Sequence, residues 1–229
     1  MMKAVIFDMD GVLIDVSRSY LATIKKVYRL FTGLNLSTAE IAELRNQGGF
    51  NNDWDLTWEL IKKAGKNIPR EKIVPLFQKI YRGDNFNGLI LKEKWLLEKE
   101  ILQKLNIRAK TAIVTGRPRE EAFFSLRRFS MKDYFSAVVT LDDIPSGKSK
   151  PHPWGLRFAL SILEEKEGYY VGDTGDDIIA SLRAGLTPIG IVPPGNSGQK
   201  QKHILLKQGA SLVLDDINKI LEFINDQTS

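Results

Sequence analysis

Two aspartates, Asp8 and Asp10, stand one residue apart directly after the short apolar run Ala4–Phe7. In an extended chain, residues i and i+2 point to the same side, so both carboxylates are expected to face one site while Met9 turns away. Two close carboxylates repel each other, and keeping both ionised requires a cation. The end of the first apolar run therefore indicates a site that binds a cation.

Two further apolar runs also end in polar, glycine-containing turns. Thr115-Gly116-Arg117 follows Thr111–Val114, and a turn that begins with Gly172-Asp173 follows Tyr169–Val171. In an open α/β sheet, ligands bind outside the carboxyl ends of the strands, so the three turns are expected to line one crevice. Asp173 would bring a third carboxylate, and such a cluster without histidine suits Mg²⁺. For any one of these aspartates alone, the alternative is a helix cap or a turn residue.

The amino-acid composition limits the side chains that could bind a metal or take part in catalysis. The chain of 229 residues has no cysteine and only two histidines, His152 and His203. Thiolate sites are thereby removed, and a multi-histidine zinc site is nearly excluded. Catalysis is expected to rest on carboxylates, lysines, arginines or hydroxyl groups.

Charge and hydropathy restrict the partners. The net charge is +5, but lysines are interspersed with glutamates, as in Lys92-Glu93-Lys94. A nucleic-acid-binding protein would show a basic stripe, so no nucleic-acid partner is expected. No apolar run is long enough to span a membrane, and the first residues lack the apolar segment of a secretory signal. We therefore expect a cytoplasmic protein without a membrane partner.

The apolar runs predict the strands of a buried parallel sheet, because they do not alternate between polar and apolar residues. The predicted strands are Ala4–Phe7, Thr111–Val114, Ala137–Val139, Tyr169–Val171 and Pro188–Val192. Helices are predicted between and after these strands, at Trp95–Leu105, Pro118–Phe129, Asp177–Ala184 and Ile217–Asn225. Alternating strands and helices predict an α/β fold, with a Rossmann-like parallel sheet flanked by helices.

One long segment between the first two of these strands breaks the alternation. Its patterns predict only helices, at Ser19–Leu30, Thr38–Arg45, Trp54–Lys63 and Arg70–Tyr81. The segment is too long for a single crossover connection, so we expect an inserted all-α domain at residues 16–88 and a core domain at residues 1–15 and 89–229. Within the insertion, Gly48–Trp54 joins glycines, polar groups and aromatic rings. This stretch is predicted to be a substrate-specificity loop, or else a plain loop in which Asn52 or Asp53 caps the following helix.

Four motifs, in order along the chain, resemble those of the haloacid dehalogenase-like superfamily. The first, DxDGxL, is Asp8-Met9-Asp10-Gly11-Val12-Leu13, and the second, a strand-end Thr or Ser, is Thr115. The third, a lysine before Pro-x-Pro, is Lys150, and the fourth, GDxxxD, is Gly172–Asp177. The insertion between the first two motifs resembles the helical C1 cap of the branch that includes phosphoglycolate phosphatase-like enzymes. The resemblance implies an α/β core with an all-α cap domain.

The resemblance also implies a role for each motif residue. Asp8 would be the nucleophile that forms an aspartyl-phosphate, and Asp10 would be the general acid and then the general base. Lys150 would neutralise charge on the nucleophile and on the phosphoryl oxygens. Mg²⁺ would be bound by Asp8, the backbone carbonyl of Asp10 and Asp173. Asp177, as a further metal residue, would order metal-bound waters or Lys150.

The resemblance implies two substrate contacts, and the composition of the Gly48–Trp54 stretch suggests a third. Thr115 and the Gly116 amide would bind a phosphoryl oxygen near a helix N-terminus, which favours anions. Asn52, in the Gly48–Trp54 stretch of the cap, would contact the rest of the substrate.

Three neighbours of the motifs leave alternatives open. Lys148 could compete with Lys150, although the direct Lys-Pro junction favours Lys150. Asp176 is expected to be a solvated turn residue beside Asp177. Arg117 could touch the substrate, but such a residue is more often a surface or helix-start residue.

The leading hypothesis is a Mg²⁺-dependent phosphatase that hydrolyses a small phosphorylated metabolite through an aspartyl-phosphate. The dehalogenase branch lacks the second aspartate of the first motif, so Asp10 favours phosphoryl transfer. The alternatives are a phosphomutase of the β-phosphoglucomutase type and a non-catalytic ligand-binding protein with the same fold. A phosphonate hydrolase would need a Schiff-base lysine from the cap, and none stands in a recognisable context. Either a monomer or a homodimer is compatible with the sequence.

Overall fold

The chain forms two compact units, which a computed structural model describes over residues 4–50, 52–194 and 198–226. One unit comprises Met1–Asp15 and Trp95–Ser229, and the other comprises Val16–Lys94. The second crossing between the units thus lies a few residues beyond the predicted one at residues 88 and 89. A cap function for the smaller unit stays a prediction.

The larger unit contains a six-stranded parallel sheet in the order β5-β4-β1-β6-β7-β8. Its strands are β1 (Ala4–Phe7), β4 (Thr111–Val114), β5 (Ala137–Val139), β6 (Gly168–Gly172), β7 (Thr187–Ile191) and β8 (Leu212–Leu214). Two short strands, β2 (Ile14–Asp15) and β3 (Lys94–Trp95), form a separate two-stranded sheet. The predicted α/β fold with a parallel sheet is confirmed, and the predicted strands lie within one residue of the observed bounds.

The register of the central strands explains why the polar turns meet. Phe7 of β1 lies beside Ile113 of β4 on one side and Val171 of β6 on the other. All residues of β1 and β4 are buried, as expected for strands covered on both faces. The three strands therefore end at the same edge, and the residues that follow them enter a common region.

Helices of the larger unit flank this sheet, and their bounds are α5 (Lys99–Arg108), α6 (Arg119–Arg128), α7 (Trp154–Leu163), α8 (Gly175–Ala184), α9 (Gly198–Lys207) and α10 (Ile220–Asp226). The prediction of a helix from Trp95 was wrong at its start, because Trp95 belongs to β3 and α5 begins at Lys99. The amide of Leu96 donates to the carbonyl of Leu13 at 2.9 Å, and the Trp95 ring packs against Phe129 with centroids 5.9 Å apart. This hydrogen bond and this ring packing hold Trp95 in a strand, although the spacing of the apolar residues predicts a helix there.

Among its described residues, the smaller unit contains a 3-10 helix at Leu89–Lys92 and four α-helices, α1 (Tyr20–Thr32), α2 (Thr38–Arg45), α3 (Asp53–Lys63) and α4 (Arg70–Tyr81). Their apolar faces bury Ile24, Leu56, Ile61 and Phe77 completely. Near the end of the unit, the buried Glu93 accepts hydrogen bonds from Ser19 Oγ and Tyr81 Oη, each at 3.0 Å. Among the described residues, no helix in either unit is long and apolar enough to cross a membrane.

Asn52 lies at the N-terminus of α3, where its side-chain oxygen accepts from the amides of Trp54 at 2.9 Å and Asp55 at 3.4 Å. The cap satisfies donors that the first turn of a helix leaves without intrahelical acceptors. Of the two interpretations of this residue, the helix-capping one matches the observed contacts, and its substrate contact stays a prediction. The neighbouring Asn51 lies outside the described residues.

We expect Asn52→Ala to lower the free energy of unfolding by about 1 kcal/mol, because the first turn of α3 loses its side-chain acceptor. Asn52→Ser retains a capping oxygen and should stay close to wild type. Urea unfolding of the three proteins, followed by circular dichroism, measures the difference. Equal destabilisation by alanine and serine would show that the capping contact contributes nothing to stability.

Candidate active site

Asp8 is the first residue after β1 and lies at the edge where the strands end. Its amide donates to the carbonyl of Val171 at 2.8 Å, so the backbone stays paired to the neighbouring strand one residue beyond β1. The residue is buried, with 6% of its surface exposed, whereas the side chain of Asp10 is 30% exposed. Met9 between them is fully buried. The turn therefore presents two carboxylates in different surroundings.

Gly11 allows the first turn to approach the turn after β6. It has a left-handed φ of +74°, and its amide donates to the carbonyl of Ile14 at 2.9 Å. A Cβ atom here would collide with the carboxylate of Asp173 and would lie 3.2 Å from Pro193 Cβ. Glycine is therefore required both by the backbone conformation and by the close approach of Asp173.

Three buried carboxylates gather at this edge: Asp8, Asp173 and Asp177 each offer an oxygen, and these oxygens lie within 4.8 Å of one another. Hard divalent cations take carboxylate oxygens as ligands, so the cluster fits a metal site. The carboxylate of Asp10 is not part of the cluster, because it pairs with Arg117. The predicted role of Asp10 as a ligand through its backbone carbonyl stays a prediction.

Asp177 is fixed by the first turn of α8. Its Oδ2 accepts from the amide of Thr174 at 3.0 Å and from Thr174 Oγ1 at 2.6 Å, which completes a capping box. Its Oδ1 accepts from Lys150 Nζ at 2.7 Å and from Tyr170 Oη at 3.0 Å. Protein donors thus engage both carboxylate oxygens. Position 172 must be a glycine, since a Cβ atom there would lie 2.6 Å from Asp177 Cγ.

Lys150 joins two of the three carboxylates. Its Nζ donates to Asp8 Oδ1 at 2.7 Å, to Asp177 Oδ1 at 2.7 Å and to Tyr170 Oη at 2.9 Å. Its side chain is only 9% exposed. The alternative lysine, Lys148, lies in an exposed position with its Nζ 3.3 Å from His152 Nε2.

Burial and charge shift the pKa values of these groups in opposite directions. Desolvation, together with the nearby charges of Asp177 and Asp10, raises the pKa of Asp8 to about 7 despite the opposing attraction of Lys150. Burial alone would lower the pKa of Lys150, but Asp177 and Asp8 together hold it well above its usual value. Burial also opposes ionisation of Asp177, yet Lys150 and Thr174 hold the pKa of that carboxyl below its usual value. The lysine therefore stays charged and stabilises Asp177 as an anion more than Asp8.

Two polar residues of this region were missed or misjudged from the sequence. Tyr170 lies within β6, fully buried, with its hydroxyl among Lys150, Asp177 and the carbonyl of Val114. In the sequence it resembles any aromatic core residue of a buried strand. Asp176 was expected to be solvated, but it is 6% exposed in the first turn of α8. An acidic residue is favourable there because of the helix dipole.

Arg117 is buried, so of the alternatives left open for it the surface position was wrong, while its place two residues before α6 is near a helix start. It is 1% exposed, and its Nε donates to Asp10 Oδ1 at 2.8 Å, while Nη2 donates to the same oxygen. A buried arginine next to a carboxylate is a fixed charge pair. The Thr-Gly-Arg-Pro turn gave no sign of this partner, because Asp10 is distant in sequence.

The two predicted phosphate-binding residues occupy the turn after β4. Thr115 is fully buried, its amide donates to the carbonyl of Val139 at 2.9 Å, and its Oγ1 accepts from the amide of Arg117 at 3.2 Å. Gly116 is exposed, and α6 begins three residues later at Arg119. Their contact with a phosphoryl oxygen stays a prediction.

The chain belongs to the haloacid dehalogenase-like hydrolase family, whose profile matches residues 5–191. This match covers the first strand, the inserted helices, both glycine-containing turns and Lys150. The family resemblance read from the four motifs is thereby confirmed.

Known relatives and a solved structure agree with this assignment. Imidazoleglycerol-phosphate dehydratase of Phytophthora nicotianae is 35% identical over 84% of the chain, but the chain spans only 44% of that longer protein. Phosphoglycolate phosphatase of Shigella dysenteriae is 26% identical, over 86% of the chain and 84% of the relative. The crystal structure of a haloacid dehalogenase-like protein of Agrobacterium tumefaciens superposes with a TM-score of 0.77 at 16% identity, covering 100% of both chains. At that identity the likeness supports the fold alone.

The raised pKa of Asp8 makes the stability of the metal-free protein depend on pH. Its pKa rises from 3.8 to about 7 on folding, so the folded state binds more protons between these values and stability falls as pH rises through this window. We expect Asp8→Asn to lack this component. Urea unfolding in EDTA at several pH values should show the variant gaining on wild type from about pH 4 to about pH 7, with no further gain above. A difference that stays constant with pH would contradict the assigned pKa.

Proposed function

We propose that the chain is a phosphatase that hydrolyses a small phosphorylated metabolite through a covalent intermediate on Asp8. The observation that carries this proposal is the hydrogen-bonded set of Asp8, Lys150 and Asp177, with Asp173 beside it. A lysine fixed between two carboxylates supplies positive charge where a phosphoryl group would meet its nucleophile. Such electrostatic stabilisation is the main requirement of phosphoryl transfer.

In the first step, Asp8 attacks phosphorus as the bond to the leaving oxygen breaks, which gives an aspartyl-phosphate and an alcohol. The carboxylate must be ionised for this attack, and Lys150 at 2.7 Å stabilises the ionised form. The same ammonium group lies close enough to an Asp8-bound phosphoryl group to offset its charge. Asp177 restrains Lys150 from the other side.

Asp10 supplies the proton chemistry of both steps. In the first step it gives a proton to the leaving oxygen, and in the second it takes a proton from the water that hydrolyses the aspartyl-phosphate. Its side chain is more exposed than that of Asp8, in keeping with a group that must reach both an alcohol and a water molecule. Thr115 and the exposed Gly116 amide are assigned to a phosphoryl oxygen.

Asp8 and Asp173 are proposed to hold Mg²⁺, together with the carbonyl of Asp10. Asp177 is assigned to the same site, and its hydrogen bonds suit a role in orienting Lys150. When bound, the ion would neutralise part of the phosphate charge. Two carboxylates and a backbone carbonyl are a suitable set of oxygen ligands for a hard cation that shares its site with a phosphate.

The substrate is assigned to the class of small phosphorylated metabolites, with the helical unit at Val16–Lys94 as a cap and Asn52 among its substrate contacts. The relative named phosphoglycolate phosphatase, similar over most of both chains, supports this class. A phosphomutase would use the same nucleophile but return the phosphoryl group to a second hydroxyl of a sugar phosphate. The two outcomes differ in whether inorganic phosphate is released. A cytoplasmic location, as a monomer or homodimer, completes the proposal.

We expect wild-type protein with Mg²⁺ to release phosphate from 4-nitrophenyl phosphate and from 2-phosphoglycolate, while Asp8→Asn loses turnover by at least about a thousandfold. The exposed Asp133→Asn is the matched control and should keep wild-type rates. Phosphate release is measured in each case, with melting curves to verify folding. Turnover retained by Asp8→Asn would refute the nucleophile assignment. Conversion of a sugar phosphate without phosphate release would favour the mutase.

Asp173→Asn is expected to weaken metal binding, because one anionic oxygen ligand is replaced by a neutral amide. The measurement is the rise in melting temperature on titration with Mg²⁺, which reports binding without turnover. Wild type should show a saturable rise, and the variant should need at least about tenfold more Mg²⁺ for the same shift. Superimposable titrations of the two proteins would remove Asp173 from the metal site.

A further inference from the structure

Each aspartate of the first turn is paired with its own buried cation. Lys150 donates to Asp8, and Arg117 donates to Asp10 through Nε and Nη2. The cations come from different parts of the chain: Lys150 precedes α7, and Arg117 lies between β4 and α6. Two carboxylates that stand one residue apart in the sequence are thus held separately.

Arg117 is fixed by contacts on several sides. It is the largest fully buried side chain among the described residues, and its Nη1 donates to Ser125 Oγ on α6 at 2.9 Å. Its backbone amide donates to Thr115 Oγ1 at 3.2 Å, and its carbonyl accepts from the amide of Leu141 at 2.9 Å. Burying a guanidinium is unfavourable unless its donors are engaged, and here they hold the planar group in one orientation.

Both nitrogens that reach Asp10 donate to the same oxygen, Oδ1. No hydrogen bond joins Asp10 Oδ2 to any other described residue. The side chain of Asp10 is also 30% exposed, although the side chain of its partner Arg117 is fully buried. The carboxylate is therefore anchored from the protein side through one oxygen while the other can meet a reacting group.

From this geometry we infer that Arg117 is the positioning residue of Asp10: it holds one carboxylate oxygen so that the other is aimed at the leaving group of the substrate. The inference rests on the proposed function, in which Asp10 exchanges the proton. Arg117 itself does not touch the reacting atoms. A purely structural arginine could pair with any buried carboxylate, whereas Arg117 pairs with the partly exposed Asp10 of the turn that carries the proposed nucleophile.

The test uses two esters of similar shape, phenyl phosphate and 4-nitrophenyl phosphate. Phenolate is the more basic leaving group and needs a proton as it departs, whereas 4-nitrophenolate departs with little help. We expect Arg117→Gln to lower kcat/KM for phenyl phosphate by about 30-fold or more, and for 4-nitrophenyl phosphate by less than about threefold, since general acid catalysis is worth about 10²–10⁴-fold. The ratio kcat/KM is used because it reports the first chemical step.

A double-mutant cycle with Asp10→Asn separates positioning from other effects. In the Asp10→Asn background there is no proton to position, so Arg117→Gln should cause less than about a twofold further loss with phenyl phosphate. Arg119→Gln is the matched control, because the exposed Arg119 pairs with Asp143 and its removal should leave both esters unchanged.

A gentler variant covers the case in which Arg117→Gln fails to fold. Ser125→Ala removes the oxygen that accepts from Nη1 of the guanidinium, and it should lower phenyl phosphate turnover by a few-fold while sparing the nitrophenyl ester. Melting curves verify that each variant is folded.

Equal losses on the two esters, or a loss that persists in the Asp10→Asn background, would overturn the positioning role while leaving the phosphatase intact. If the wild-type protein hydrolyses neither ester and no compound of a full metabolite panel, the proposed function is overturned, and this inference with it. The two failures are distinguishable because the first is measured only relative to an active wild type.

Discussion

The ion pairs of Lys150 with Asp8 and Asp177 are the interaction on which the rest of the site depends. Removing three charged groups from water is unfavourable, and the arrangement is stable only because each ammonium proton meets an acceptor at short distance. That requirement fixes the surrounding backbone. β1 must end beside β6, the first turn of α8 must start directly after Asp173, and Gly172 must leave room for Asp177. Loss of the lysine alone would leave two buried carboxylates facing each other without a cation. The local fold therefore depends on the same ion pairs as the site.

The different surroundings of Asp8 and Asp10 suit the two chemical roles proposed for them. Asp8 and Asp10 leave the same short turn, yet one is buried against a lysine and the other is partly exposed beside an arginine. A nucleophile must stay at a fixed place beside the phosphoryl group, whereas a proton donor must reach an alcohol and later a water molecule. The difference in exposure suits these two demands.

The features that could be predicted from the sequence are those that depend on local, periodic residue patterns, such as the strands. The strands were predictable because a run such as Ala4–Phe7, buried on both faces, carries no polar residue, and the shared strand edge then predicted that Asp8 and Asp173 would meet. Sequence reasoning missed β8, where Leu212–Leu214 is too short to stand out from the apolar residues of the flanking helices. It also missed the burial of Arg117, since that depends on a partner 107 residues away, and a single polar position shows no period. The polar contacts of Tyr170 could not be predicted either, because its aromatic ring fits the apolar pattern of its strand.

The two cations also differ in type for a geometric reason. Lysine has three ammonium protons arranged around a point, and Lys150 uses them on three acceptors that surround it: Asp8, Asp177 and Tyr170. Arg117 instead has acceptors on two sides of a plane, Asp10 Oδ1 along one edge and Ser125 Oγ along another, which a flat guanidinium can meet without bending. Exchanging the residues would leave donors without acceptors in either place. The presence of a lysine beside Asp8 and of an arginine beside Asp10 therefore follows from the arrangement of acceptors around each cation, and the charge alone would not decide it.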